Sequence, residues 1–114
     1  MTDKQFYALF CAALASADRD AFVSDWALSS VWADQEDAEI PPERIAAISD
    51  IWSVAHATIR DIRAYTGLTQ AAFSTRFCIP RRTLENWESG VRSCPDYVRL
   101  LLAQAAGMYA RPEG

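Results

Sequence analysis

Arg81, Arg82 and Asn86 are the side chains of this chain best suited to specific recognition, through hydrogen bonds to planar partners. A guanidinium fork matches the O6 and N7 acceptors of guanine, and a carboxamide matches N6 and N7 of adenine. The same two arginines can also do no more than neutralise phosphates. Gln70, Thr83, Ser89 and Arg92 are further groups suited to a phosphate oxygen, or merely to capping and solvent. Glu85 would repel a phosphate or accept from cytosine; the plainer reading is that it holds an arginine in place. Nothing comparable exists for catalysis. His56 is the single histidine and has no acid or thiol at ligand spacing. There is no Ser-His-acid or Cys-His set and no glycine-rich phosphate loop, so neither an active site nor a metal or cofactor is expected.

These residues must be positioned by the stretch from Thr69 to Gly90, TQAAFSTRFCIPRRTLENWESG, which reads as two short helices around a tight break. Thr69 is suited to cap the first, its hydroxyl taking up a free backbone N–H. Ala72, Phe73 and Phe77 then fall on or near one face. Phe77-Cys78-Ile79-Pro80 breaks the run, because Pro80 lacks a backbone donor and is cheap only near a helix start. Thr83, Leu84 and Trp87 mark the inward side of the second helix, and Gly90 stops it. Arg81, Arg82, Glu85 and Asn86 are left pointing outward. Helices of about two turns bury little alone, so a scaffold must hold them.

The stretch resembles the helix-turn-helix of the Xre/Cro-like phage-repressor family. Leu68-Thr69-Gln70, Phe73, the turn at Cys78-Ile79, Thr83-Leu84, Trp87-Glu88 and Gly90 carry the resemblance, which spans residues 51–107. It implies a lambda-repressor-like bundle whose second short helix enters the major groove of double-stranded DNA. Gln70, Arg81, Arg82, Thr83, Asn86 and Arg92 become the expected DNA-binding residues. It also implies a structural ion pair between Arg63 and Glu88. Two positions depart from the family pattern. Cys78 stands where glycine is usual, so either it accepts a left-handed strain of about 1–2 kcal/mol or the turn has another shape. Ser74 stands where alanine is common.

The totals fit a helical protein. Half the residues are apolar, Ala and Leu abound, and alternation of β-branched residues is nearly absent, which predicts an all-α fold. No apolar run approaches ~20 residues, so no membrane span is expected. The opening MTDKQFYALFCAALASADRD has an apolar centre, but Asp3 cancels Lys4 and the apolar residues repeat at helical spacing; it reads as a folded amphipathic helix rather than a leader. Three cysteines without a CxxC pair read as thiols in a reducing cytoplasm. Net charge is −4, unevenly spread: residues 1–50 hold ten acids against three bases, and residues 51–114 hold eight arginines against five acids. That division suits a phosphate-binding part joined to a part that avoids DNA.

Two domains follow: an acidic N-terminal helical extension, 1–40, and a helix-turn-helix DNA-binding domain, 41–110. Thr2 and Gln5 predict a capping box opening a helix that buries Phe6, Leu9, Phe10, Ala13 and Leu14. A second helix is expected from Asp20 to Trp32, with Phe22, Val23, Trp26 and Ser30 inward. Ala33 to Ile40 is read as a loop. Ile45, Ile48, Trp52, Ala55, Ile59 and Ile62 then repeat as a 3-4 seam, predicting one long helix from Pro42 or Glu43 to Tyr65, or two with a bend at Ser49-Asp50. The last helix starts at Pro95-Asp96, with Val98, Leu101, Leu102 and Ala105 on one side.

The expected function is a transcriptional regulator, a repressor, binding an inverted repeat as a homodimer. The alternative is an antitoxin or a phage or mobile-element interaction protein whose residues 1–40 hold a partner protein.

Overall fold

The computed structural model describes residues 1–32 and 39–111, and among these there are seven α-helices and no strand. Most of the expected loop at 33–40 therefore lies outside the described residues. The chain forms two compact units, Met1–His56 with Arg111, and Ala57–Ala110.

In the N-terminal unit, α1 (Asp3–Leu14) opens on the expected capping box: Thr2 Oγ1 accepts from Gln5 N–H and Gln5 Oε1 accepts from Thr2 N–H. Phe6, Leu9, Phe10 and Ala13 are buried, as their spacing predicts. α2 (Arg19–Ala27) is capped by Asp18 and is shorter than expected. It gives way to a 3-10 turn, Ser30–Trp32, in which the Trp32 indole N–H donates back to Trp26 O at 2.8 Å. Two serines, Ser29 and Ser30, offer little helix propensity there, and the turn buries Trp32 instead. Ser30, expected inward, is exposed.

α3 (Pro42–His56) packs on both α1 and α2. It buries Ile48, Ile51, Val54 and Ala55, while Ile45 stays exposed. The single long helix is not formed, nor is the break at Ser49-Asp50. The chain breaks at Ala57-Thr58, where Thr58 Oγ1 accepts from Asp61 N–H at 3.1 Å and Asp61 accepts from Thr58 N–H at 2.8 Å. This capping box starts a new helix, α4 (Ile59–Thr66), and cuts the apparent seam in two. α3, read from sequence as the opening of the DNA-binding domain, thus groups with the N-terminal helices, and the units meet at 56/57 rather than 40/41.

The C-terminal unit comprises α4, α5 (Gln70–Phe77), α6 (Arg81–Ser89) and α7 (Asp96–Ala105). Ile59, Ile62, Phe73, Leu84, Leu102 and Ala103 form its buried centre. On α7 the buried side is Leu102 and Ala103; of the residues grouped with Leu102 on one side, Leu101 is 58% exposed and Ala105 is exposed as well. Apolar residues cover more of that helix than its neighbours bury, so spacing alone does not say which of them are covered.

Ser74 is buried on α5 and its hydroxyl has no hydrogen-bond partner. An unpaired buried hydroxyl costs about 1–3 kcal/mol. Ser74→Ala is therefore expected to raise stability by about 1 kcal/mol; thermal unfolding of the two proteins checks this, and a lowered melting temperature would contradict it.

Candidate nucleic-acid interface

α5 and α6 are joined by a tight turn whose shape is set at Cys78. This is the single non-glycine residue at positive φ among those described, at φ 56 and ψ 38. Of the two alternatives, Cys78 takes the left-handed strain. Its N–H and that of Ile79 both reach back to Ser74 O, closing α5. Thr69 caps the start of α5, its hydroxyl accepting from Ala72 N–H at 3.2 Å. Pro80 precedes α6 without a side-chain cap, and Gly90 ends it at φ 83.

The turn turns one face of α6 outward. Arg81 and Arg82 are exposed at its start, and Glu85 is exposed one turn later. Arg81 Nε lies 3.3 Å from Glu85 Oε1, with the two side chains 60% and 49% exposed. Thr83 and Asn86 are half-buried, and Leu84 is fully buried. Arg92 is exposed in the following loop, its backbone N–H donating to Asn86 O at 3.2 Å. Ser89 Oγ donates to the same carbonyl, so its hydroxyl is spent on the helix end. Arg81, Arg82, Asn86 and Arg92 therefore come from one helix and the loop that leaves it, with Thr83 and Asn86 less exposed than the three arginines.

What fixes α6 is Glu88. Its carboxylate is 1% exposed and takes a fork from Arg63 on α4: Nε to Oε2 at 2.8 Å and Nη2 to Oε1 at 2.8 Å. Arg63 Nη1 also donates to Leu68 O, ahead of α5. The side chain of Gln70, the first residue of α5, also favours the ionised form of this carboxylate. The expected Arg63–Glu88 pair is thus part of a wider knot joining α4, α5 and α6. Sequence reasoning missed its second cation, Arg60, whose Nε is 3.6 Å from Glu88 Oε1 while its side chain stays 69% exposed. Its position three residues before Arg63, one helical turn, was the available signal.

The Arg63 hydrogen bond, with smaller help from Gln70 and the charges of Arg63 and Arg60, holds the Glu88 carboxyl below the usual range against the opposing effect of burial. A depressed folded-state value contributes stability that is full above the unfolded value, about 4.3, and is lost as pH falls through the folded one. Unfolding at neutral pH and near pH 3 should therefore show the wild type losing more stability than Glu88→Gln, whose amide does not titrate. Parallel losses in the two proteins would contradict this.

Among the described residues no group of three metal-ligating side chains occurs, and no helix is long and apolar enough to cross a membrane. His56 is stacked on Trp52, with centroids 4.1 Å apart, and its Nε2 lies 2.8 Å from Ala13 O. It is a packing residue of the N-terminal unit. The chain matches no family model, no curated protein and no solved structure.

Proposed function

We propose that the chain is a sequence-specific double-stranded-DNA-binding transcriptional regulator, a repressor, whose α5–turn–α6 segment acts as a helix-turn-helix of the lambda-repressor type. One observation carries the reading. α6 holds Arg81 and Arg82 outward at its N-terminal end while its far end is tied to α4 and α5 through Glu88. The N-terminal residues of such a helix are the ones that enter the major groove. Arg81 and Arg82 would meet base edges, with Asn86 beside them. Arg92 and the N-terminus of α5 at Gln70 would meet phosphates. A helix of nine residues makes few contacts, so a homodimer on an inverted repeat supplies the second half of the binding free energy. Footprinting of the tagged protein across its own genome tests this. A recurrent palindromic sequence is expected, and occupancy without any shared sequence would reject specific regulation.

A second reading is favoured by the N-terminal unit, a compact body of its own in the acidic half of the chain. In that reading it holds a partner protein, as in an antitoxin, while the C-terminal unit acts on DNA. Co-purification of a protein that is lost when residues 1–56 are exchanged for an unrelated domain would support it.

A further inference from the structure

We propose that Arg81 and Glu85 read a single G·C base pair as one unit, Arg81 taking guanine and Glu85 taking the cytosine paired with it. The proposal rests on the DNA-binding reading and adds to it a residue, Glu85, and a base-pair identity.

The argument begins with which nitrogen is engaged. The ion pair falls on Arg81 Nε, at 3.3 Å from Glu85 Oε1. Arg81 makes no other polar contact among the described residues, so the terminal nitrogens Nη1 and Nη2 keep their end-on fork free. That fork matches the O6 and N7 of guanine. The second carboxylate oxygen of Glu85 is a hydrogen-bond acceptor. The pair therefore presents two donors and then an acceptor. In the major groove a G·C pair presents the complement: two acceptors on guanine and then the N4 amino donor of cytosine. An A·T pair places a donor where the fork needs an acceptor, and a reversed pair inverts the order.

Two further features favour reading over mere surface pairing. Both side chains are at least half exposed or close to it, at 60% and 49%, on the outward face at the start of α6. The spacing of four residues also stiffens the arginine before it meets a partner, because side chains so placed are neighbours on a helix. A lone arginine here would accept a phosphate as readily as a guanine. A carboxylate held against it repels phosphate and leaves base edges as the better partner.

The test uses the full chain and duplexes with a randomised core. Sequences enriched by the wild type should contain a G·C pair that loses its enrichment with Arg81→Ala. At that pair the cytosine is replaced by 2-pyrimidinone, which lacks the amino group, and guanine is left untouched. The wild type is expected to bind the altered duplex about tenfold more weakly, the scale of a hydrogen bond to a charged group. Glu85→Ala is expected to bind the two duplexes equally. Its melting temperature should match the wild type, since Glu85 is exposed. Equal weakening in both proteins, no weakening in either, or no G·C pair dependent on Arg81 overturns the unit and leaves duplex binding standing. Failure to enrich any sequence overturns this proposal and the DNA-binding reading together.

Discussion

Arg63→Ala is expected to cost the C-terminal unit about 3–5 kcal/mol, enough to unfold or loosen it. The carboxylate it would abandon is 1% exposed. Removing both 2.8 Å hydrogen bonds leaves that charge desolvated, with only the Gln70 carboxamide and a more distant cation. Arg60 cannot take over the fork from where it sits, at 3.6 Å and largely in water. The loss also frees Leu68 O, which Arg63 Nη1 holds just before α5. Denaturant unfolding read by tryptophan fluorescence is the measurement, because Trp87 lies on α6 beside the knot. An unchanged midpoint would show that the pair is ornamental. Replacing both partners, Arg63→Met with Glu88→Leu, should recover much of the loss, since removing a buried pair entirely avoids the unpaired charge.

The double variant Arg81→Ala with Arg82→Ala is expected to weaken binding to an enriched duplex by about 2–6 kcal/mol, each base-reading side chain contributing about 1–3 kcal/mol. Stability should change little, because both side chains are exposed at the start of α6. The comparison with a scrambled duplex separates the two roles these arginines can have. Base readers lose preference between the two duplexes, whereas phosphate contacts lose affinity for both alike and lower the salt slope by about 1 per contact. Equal losses on both duplexes would reduce Arg81 and Arg82 to charge neutralisers and move specificity to Asn86.

The parts of the structure legible in the sequence are those written in local chemistry. Thr2 with Gln5, Thr69 and Gly90 mark helix ends because caps are short-range, and all three caps sit where their residue types put them. The break at Thr58 was equally local: Thr58-Ile59-Arg60-Asp61 has the capping spacing, and the apolar seam from Ile45 to Ile62 concealed it. The turn at Cys78 was legible only as a choice, because a side chain at positive φ pays a cost that neighbours must over-determine. What sequence could not supply was partnership at a distance. Spacing gave no sign that α3 packs on α1 and α2, and it grouped Leu101 with Leu102 on α7 where the neighbours cover Leu102 and Ala103. Within the candidate interface, Arg81, Arg82 and Arg92 are exposed as their types suggest, but the meeting of Arg60, Arg63 and Gln70 on one carboxylate is a tertiary fact.

The most direct test of whether α6 reads DNA is an affinity ratio. Fluorescence anisotropy would compare the full chain on a duplex enriched from a random pool with a scrambled duplex of equal composition, near physiological salt. A specific regulator should prefer the enriched duplex by about a thousandfold or more. Indistinguishable affinities for the two would contradict the account.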